Sequence, residues 1–394
     1  MSNDPIVIAS AARTPIGAMQ GQFSSLSATQ LGAVAVKAAV ERAGLSADAI
    51  EEVIMGCVLP AGLGQAPARQ AALGAGLAKS TNCTTINKMC GSGMKAIMLA
   101  HDLIVAGSAK VMVAGGMESM THAPYLLPKA RGGYRYGHAT MYDHMALDGL
   151  EDAYEKGTPM GAYAETTAAK YGFTRQDQDA FAITSLTRAR KASEDGSFSL
   201  EIAPVEVAGK AGTEKISRDE TPYKANVEKI PTLKPAFKKD GTVTAANASS
   251  ISDGAAAVVL MKQSEAVKRG IKPIAKILGH ASHARAPGEF TVAPVHAIAA
   301  LLEKLGWKAG DVDLWEINEA FAVVTMAAMK EHALDPARVN IHGGACALGH
   351  PIGASGARIT ATLLGALKKT GGKRGIASLC IGGGEAVAIA VEML

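Results

Sequence analysis

Aromatic residues, long apolar runs and a strong charge of either sign are all scarce in this chain of 394 residues. Phe, Trp and Tyr together make up 4% of it, and the formal net charge is only +4. No dense run of Lys and Arg interleaved with aromatic residues occurs, so the pattern typical of nucleic-acid binding is missing. No uninterrupted apolar stretch approaches the roughly 18 residues that a membrane span needs. We therefore expect neither nucleic acid nor a membrane as a partner.

Cysteine is also scarce, and its spacing forms no pair. The five cysteines include no Cys-x-x-Cys motif. An odd number without such pairs argues against a disulfide framework or a structural zinc site, so we expect no metal ligands among the site residues. The first residues have neither the basic head of a signal peptide nor an Arg/Ser-rich helix, which predicts a cytoplasmic protein. The cysteines are Cys57, Cys83, Cys90, Cys346 and Cys380.

Glycine and alternating apolar segments are abundant instead. The chain has 43 glycines, 48% hydrophobic residues and 19% charged residues, a composition typical of a globular protein. Short apolar runs, which predict buried strands, alternate with longer stretches of helical periodicity. This alternation predicts an α/β fold with mixed or parallel sheets. The strands are expected at 5–11, 109–115, 256–261, 375–380 and 387–391, and the helices at 28–43, 91–106, 295–305, 320–331 and 356–369.

Two parts of the chain resemble each other. In each, an acidic and apolar segment precedes a reactive side chain, which opens a helix rich in Gly, Ser and Ala, and a strand ending in glycines follows. Cys57 precedes Cys90 by 33 residues, and Asn318 precedes His350 by 32. This similarity predicts a duplicated α/β unit with its reactive positions facing each other near a pseudo-twofold axis.

Residues 120–247 interrupt the pattern and predict an inserted domain. The segment is rich in Gly, Tyr, Met and charged residues, and its helical periodicity at 161–170 and 176–194 favours an ordered lid. We predict three domains. They comprise residues 1–119 with 248–270, residues 120–247, and residues 271–394.

One cysteine lies where a reactive thiol is expected. The segment Asn87-Lys-Met-Cys90-Gly-Ser-Gly places Cys90 at a predicted helix start, where free backbone N–H groups and the positive helix end stabilise a thiolate. The glycines let a substrate carbonyl approach the backbone. A buried apolar cysteine at a helix start is the alternative interpretation, and for this motif alone it is equally good.

Three further motifs carry polar groups in glycine-rich surroundings. His350 lies in Gly349-His-Pro-Ile-Gly, where an imidazole can move a proton or donate to a developing oxyanion. Cys380 precedes three glycines, whose N–H groups can form an oxyanion hole. Asn318 lies at a predicted strand–helix junction, where it would ordinarily be read as a helix cap.

Together these motifs resemble those of the thiolase superfamily, and the similarity covers nearly the whole chain. It implies a duplicated five-layer α-β-α-β-α fold with an inserted loop domain. Two stretches, 241–249 and 339–344, are most similar to acetoacetyl-CoA thiolases. The matching segments are 12–17, 87–96, 115–120, 247–255, 318–321, 349–351 and 380–383.

The resemblance implies a role for each site residue. Cys90 is expected to carry the acyl group after activation by His350, and Cys380 to move the α-proton of the second acyl-CoA. Asn318, through an ordered water, and His350 are expected to stabilise the enolate oxygen. The N–H groups of Cys90 and Gly382 are expected to hold the oxyanion of the acylation step.

The same resemblance predicts the ligands. CoA and acyl-CoA are expected as substrates under the loop domain, with no organic cofactor. Ser249 is predicted to meet the pantetheine arm of CoA, and Met160 and Phe321 to line the acyl pocket. Lys224 is predicted to meet the CoA phosphates, with Arg218, Lys229 and Lys234 as the alternatives. A potassium ion is expected near Tyr223, where some acetoacetyl-CoA thiolases bind one. A homo-oligomer, a dimer or a tetramer made of two dimers, is also expected.

Three functions remain open at this point. Condensation of two acetyl-CoA to acetoacetyl-CoA is the first, a broad-chain 3-ketoacyl-CoA thiolase is the second, and a non-catalytic acyl-CoA or lipid carrier is a remote third. A ketoacyl-ACP synthase would need a histidine where Cys380 stands. Two departures from the thiolase pattern are Pro159, where many members have histidine, and Glu385, where methionine is frequent.

Overall fold

The computed structural model describes residues 4–209 and 212–394. The strands are β1 (Ile6–Arg13), β2 (Gly17–Ala18), β3 (Glu52–Gly56), β4 (Asn82–Ile86), β5 (Val111–Ser119), β6 (Tyr125–Leu126), β7 (Tyr142–Asp143), β8 (Val205–Gly209), β9 (Gly212–Ile216), β10 (Ser252–Lys262), β11 (Ala275–Ala284), β12 (Leu314–Ile317), β13 (Arg374–Ile381) and β14 (Glu385–Met393). The α-helices are α1 (Ala28–Arg42), α2 (Pro67–Gly74), α3 (Ser92–Ala106), α4 (Met160–Tyr171), α5 (Arg175–Glu194), α6 (Thr221–Lys224), α7 (Gln263–Lys268), α8 (Ala293–Leu305), α9 (Ala322–Glu331), α10 (Ala345–Leu348) and α11 (Ser355–Thr370).

The strand order carries the predicted duplication. The large sheet runs β12-β13-β14-β11-β1-β10-β5-β3-β4, and β1 pairs with β11 at its centre. Outward from that pair, each half repeats two antiparallel pairings and then a parallel one, as β1-β10-β5-β3 and as β11-β14-β13-β12. The two halves are therefore copies of one α/β unit, and the prediction of a duplicated fold is confirmed.

Helices and sheet form five layers. Along β1, Ile6 and Ile8 contact the inner core with α3 and α11, whereas Val7 contacts the outer core with α1 and α2. Alternate strand residues point to opposite faces, so the sheet of this half is covered on both sides. The other half has its own outer core with α8 and α9. The layers run helix, sheet, helix, sheet, helix, as the sequence resemblance implies.

Glycines allow the two central helices to meet backbone to backbone. A Cβ on Gly93 would lie 2.8 Å from the nitrogen of Ala357, and a Cβ on Gly356 would lie 2.4 Å from the nitrogen of Met94. Real side-chain atoms do not fit at such distances, so both positions require glycine. This approach brings the starts of α3 and α11, and with them Cys90 and His350, to one place between the halves.

The inserted segment contains α4 and α5, in agreement with the two helices predicted there. A buried arginine attaches this segment to β1. Arg13 donates to Glu201 at 2.7 Å and to Asp219 at 2.7 and 3.0 Å. A charge can be buried only when it is paired in this way. Arg13 thus anchors the segment, whereas the exact domain boundaries stay predictions.

One helical window has the length and composition of a membrane span. It covers Met89–Ala106, has a mean hydropathy of 1.2 over 18 residues, and is half buried within the protein. This window is α3 with the turn before it, which is the central helix of the fold, and core helices commonly meet the same criterion.

Candidate active site

Cys90 lies in a strained turn between β4 and α3. The residue before it, Met89, has φ 47°, in the left-handed region that is costly for a residue other than glycine. Two contacts hold this conformation: Met89 N–H donates to Asn87 Oδ1 at 2.9 Å, and Ser92 Oγ donates to the Met89 carbonyl at 2.6 Å. The turn directs the half-buried Cys90 away from the helix and into the interface between the two halves.

The Cys90 thiol is protonated at rest. Burial raises its pKa to about 11, although the N–H groups of Gly382 and of Cys90 itself lower it. The N–H groups thus act in the direction predicted for the helix start, but burial has the larger effect on the thiol. Those same N–H groups converge at the sulfur, where an oxyanion would form on acylation.

Cys380 reaches the same place from the other half. It is fully buried near the end of β13. Burial raises the pKa of its thiol well above the usual value, and the proximity of Cys90 raises it further. After Cys380 the chain turns through Gly382, beside which Met89 and Met160 lie. The two thiols thus face each other, one from each half of the duplicated fold.

His350 presents one unpaired nitrogen. Its Nδ1 lies 2.5 Å from Ser355 Oγ, and that hydroxyl donates to the Pro351 carbonyl at 3.0 Å. Its Nε2 is buried and has no partner among the described residues. Burial and the charge of Arg358 lower the His350 pKa to about 3, so the ring is neutral at physiological pH. An unprotonated Nε2 can accept a proton from a thiol.

Asn318 presents an unpaired donor. It follows β12, is 1% exposed, and has a buried Nδ2 with no partner among the described residues. Its Oδ1 accepts from Arg358 Nη2 at 3.4 Å. A buried amide donor without a partner is costly, so the site has capacity for one more acceptor, such as a water or a substrate oxygen.

The sequence interpretation missed a carboxylate that joins the catalytic loops. Glu118, at the end of β5, accepts hydrogen bonds from the N–H groups of Val58, Leu59 and Gly353 at 2.9–3.1 Å. Gly353 belongs to the loop that carries His350, so Glu118 links the two halves beside the site. Burial raises its pKa to about 7. The sequence offered one indication of this role, which is an acidic residue at the end of an apolar segment predicted to be a buried strand.

The unusual Glu385 has a partner. Its carboxylate forms an ion pair with Lys88 of the Cys90 turn, and both side chains are about one-third exposed. Glu385 is absent from the groups that raise the pKa of Cys380. The residue therefore joins the Cys380 loop to the Cys90 turn.

Comparison with known proteins identifies the family. The thiolase N-terminal domain profile matches residues 6–264, and the thiolase C-terminal domain profile matches residues 271–393. The chain belongs to the thiolase family. Mitochondrial acetyl-CoA acetyltransferase B of Xenopus laevis is 53% identical over 391 residues, which cover 99% of this chain and 92% of the relative. Acetyl-CoA acetyltransferase of Schizosaccharomyces pombe is 48% identical over the full length of both chains.

A solved thiolase has the same fold. The crystal structure of an Ascaris suum thiolase in complex with coenzyme A superposes with a TM-score of 0.94 at 46% identity, covering 99% of this chain and all of the other. The expected fold class and the resemblance to acetyl-CoA acetyltransferases are thereby confirmed.

The thiolase has a cavity of about 310 Å³ beneath the inserted segment. Lys224 and Lys229 lie on its wall with Ser250 and Cys346. Lys224 forms an ion pair with Glu220. Cys346, which is half-buried, is among the residues that line the cavity. The Ser250 carbonyl accepts from the His350 N–H at 3.1 Å, which connects this cavity to the catalytic loop.

The residues predicted for the acyl pocket lie close to Cys380. Phe321 and Cys380 belong to one buried cluster, and Met160 packs against it. Phe237 lies edge-on to Phe321, with ring centroids 6.0 Å apart. Ser249 is tied to this region because its N–H donates to the Ala320 carbonyl at 2.9 Å. These contacts place the residues predicted for the acyl pocket in the packing around the second thiol.

Tyr223, near which potassium is predicted, has an exposed side chain. The guanidinium carbon of Arg218 lies 5.8 Å from the centre of the Tyr223 ring. Potassium binding at Tyr223 stays a prediction, and no step of the chemistry depends on it.

Proposed function

We propose that this thiolase is an acetyl-CoA C-acetyltransferase. It catalyses the reversible condensation of two acetyl-CoA to acetoacetyl-CoA and CoA through an acyl group on Cys90. The observation that carries the proposal is the meeting of two thiols, half-buried Cys90 and buried Cys380, from opposite halves of the fold. His350 Nε2 and Asn318 Nδ2 are buried and have no partner among the described residues, so both are free to act on a substrate. Relatives named acetyl-CoA acetyltransferase, 48–53% identical, support the same conclusion.

Acylation uses Cys90, His350 and the two N–H groups. His350 Nε2 takes the thiol proton as the sulfur attacks the thioester carbonyl of acetyl-CoA. The N–H groups of Cys90 and Gly382 hold the oxyanion. The carbon–sulfur bond to CoA then breaks, and the leaving CoA thiolate takes the proton of Cys380. The acyl-enzyme therefore holds an imidazolium and a thiolate.

Carbon–carbon bond formation uses that pair. The Cys380 thiolate removes an α-proton from the second acetyl-CoA, and the enolate oxygen accepts hydrogen bonds from His350 Nε2–H and, through a water, from Asn318 Nδ2. The enolate carbon attacks the acyl carbonyl, and the Cys90 thiolate leaves and takes the proton of His350. Cys380 keeps the α-proton, so both thiols end protonated as they began.

The cavity under the inserted segment is the proposed CoA site. Lys224 and Lys229 supply positive charge near its mouth. A CoA phosphate that displaced Glu220 from Lys224 would gain a charge-assisted contact. Ser249 lies between this cavity and the acyl pocket, where it would meet the pantetheine arm.

Thiolysis of acetoacetyl-CoA by free CoA tests the proposal. Turnover by the wild type that disappears in Cys90→Ala would support it. Unchanged activity in that variant would contradict it, and a wild type that binds CoA without turnover would favour the carrier. Comparing acetoacetyl-CoA with a longer 3-ketoacyl-CoA separates the acetyl-specific enzyme from a broad-chain thiolase. Met160 and Phe321, which pack near Cys380 with Phe237 beside Phe321, are the residues expected to limit the chain length.

An oligomer is part of the proposal. The strand β4 ends one side of the sheet, and among the described residues no strand pairs with its outer edge. A free edge of this kind can pair with a second copy. Light scattering on the purified protein would distinguish a dimer from a tetramer. Cytoplasmic location stays a prediction, because relatives from Xenopus laevis and Bos taurus are named mitochondrial.

A further inference from the structure

A buried arginine lies directly behind the donor that serves the enolate. Arg358 is on α11, three residues after Ser355, and is 2% exposed. Its Nη2 donates to Asn318 Oδ1 at 3.4 Å. Residues three apart on a helix lie on one face, so the same face of α11 supports both His350, through Ser355, and Asn318, through Arg358.

A buried glutamate forms an ion pair with this arginine, without a hydrogen bond between them. Glu316 lies in β12 and is two residues before Asn318, so the two side chains point to the same side of the strand. Glu316 Oε2 lies 3.8 Å from Arg358 Nη1, and both side chains are 2% exposed. The guanidinium is therefore located between a carboxylate and the Asn318 amide, in a site closed to solvent.

The chemistry of the contact fixes the amide orientation. A carboxamide offers an oxygen acceptor on one side and an NH₂ donor on the other, whereas a guanidinium offers donors only. A hydrogen bond to Arg358 is therefore possible only in the orientation in which Asn318 Oδ1 faces the guanidinium. The Nδ2 group then points away from Arg358, and it is this atom that lacks a partner within residues 4–209 and 212–394. Without the arginine, nothing among the described contacts of the Asn318 side chain distinguishes the two orientations.

We propose that Arg358 is a positioning residue for the carbon–carbon bond step, where its guanidinium, held by Glu316, keeps the Asn318 carboxamide turned with Nδ2 toward the enolate oxygen. The inference rests on the proposed function. The proposal predicts different effects on the two half-reactions. Acylation of Cys90 uses the N–H groups of Cys90 and Gly382 and makes no use of Asn318, so only the carbon–carbon bond step should depend on Arg358.

The expected effect follows from that separation. In Arg358→Lys, a single ammonium cannot bind Glu316 and Asn318 Oδ1 together, so the amide is free to turn. Misplacing one oxyanion donor lowers a rate by about 10- to 100-fold, so acetoacetyl-CoA thiolysis should fall by that factor. Exchange of labelled CoA into acetyl-CoA, which needs only acylation, should stay within about threefold of wild type.

A double-mutant cycle distinguishes positioning from general damage. If Arg358 acts through the carboxamide, adding Arg358→Lys to Asn318→Ala should change thiolysis less than about twofold. An unpaired buried charge can prevent folding, so a second variant combines Arg358→Met with Glu316→Gln and leaves neither charge. It should also lower thiolysis while leaving CoA exchange nearly unchanged. Arg269→Lys, at a surface arginine paired with Glu265 at 2.6 Å, is the matched control and should behave as wild type.

Each outcome decides the matter. Loss of thiolysis with preserved exchange, and no added loss in the Asn318→Ala background, supports the positioning role. Three results would overturn it: equal losses in thiolysis and exchange, a double variant whose loss is the product of the two single losses, or an Arg358→Lys enzyme with wild-type thiolysis. A wild type that catalyses neither reaction would contradict the proposed function itself, and that result is recognisable before any Arg358 variant is made.

Discussion

Ser355 holds the His350 ring in one tautomer. The single hydroxyl proton of Ser355 is directed at the Pro351 carbonyl, 3.0 Å away, so its oxygen accepts a hydrogen bond from His350 Nδ1–H at 2.5 Å. With the ring proton on Nδ1, Nε2 carries a lone pair. This is the nitrogen without a partner, and it can therefore take the Cys90 proton without any change of tautomer.

The first prediction concerns this hydroxyl. Ser355→Ala should lower kcat for acetoacetyl-CoA thiolysis by about 10- to 100-fold, because the ring loses the acceptor that fixes Nδ1–H. KM should stay within about twofold, since Ser355 contacts no proposed CoA group. Ser355→Thr, which retains a hydroxyl, is the control and should restore much of the rate. An alanine variant with wild-type kcat would show that the tautomer is set in another way.

The second prediction concerns the resting state of Cys90. With a pKa raised to about 11 by burial, the reactive thiolate is a small fraction at neutral pH and grows about tenfold with each pH unit. Alkylation of Cys90 by iodoacetamide should therefore accelerate about tenfold per unit between pH 7 and 9. Mass spectrometry of the peptide that contains Cys90 separates it from the other four cysteines.

His350 supplies the control for that experiment. Its pKa of about 3 means that the ring is neutral throughout this range, so His350→Ala should leave the slope unchanged. A rate that is flat between pH 7 and 9 in the wild type would instead indicate a thiolate–imidazolium pair at rest, and would contradict the neutral pair described here.

The fold was largely predictable because its elements have strong local patterns. The helix predicted at 295–305 is observed at Ala293–Leu305, and the strand predicted at 375–380 at Arg374–Ile381. The missed elements lack such a pattern. Strand β11 mixes Gly, Ser and His with few apolar residues and is buried on one face, and α2 has only eight residues. Neighbours distant in sequence stabilise both elements.

The reactive residues were predictable, whereas their partners were not. Cys90, His350, Cys380 and Asn318 stand in glycine-rich motifs that are visible in the sequence. Ser355, Arg358 and Glu118 act through contacts that only the folded chain creates, such as the bond from Gly353 to Glu118 across 235 residues. The direction of the Cys90 pKa shift could not be predicted from the sequence either. The helix start lowers the pKa, whereas burial, which depends on the tertiary structure, raises it by more.

The third prediction concerns Glu385. Since its carboxylate pairs with Lys88 and is absent from the groups that act on Cys380, Glu385→Gln should change kcat for thiolysis by less than about threefold. Partly exposed ion pairs contribute about 1 kcal/mol or less, so stability should change little as well. A large rise in kcat would mean that the carboxylate restrains Cys380. Lys88→Met tests the other partner of the same pair.

The fourth prediction concerns chain length. Met160 packs beside Gly382 and against the cluster that contains Phe321 and Cys380. Met160→Ala removes volume at the end of the acyl space, so the ratio of kcat/KM for a 3-keto-octanoyl-CoA to that for acetoacetyl-CoA should rise about tenfold or more. Met141→Ala, at an exposed methionine, should leave the ratio unchanged. An unchanged ratio in Met160→Ala would locate the length limit elsewhere.

The fifth prediction concerns Glu118, the carboxylate that ties β5 to the His350 loop. Glu118→Gln replaces an acceptor by an NH₂ group facing backbone N–H donors, and each buried donor left without a partner costs about 1–3 kcal/mol. The free energy of unfolding should therefore fall by about 2 kcal/mol or more in urea titrations. Activity should fall less than stability, because the amide oxygen can keep the Val58 and Gly353 N–H groups while the NH₂ group faces the Leu59 N–H. Glu41→Gln, an exposed glutamate near Lys37, is the matched control and should cost less than about 0.5 kcal/mol. Equal effects of the two substitutions would contradict a linking role for Glu118.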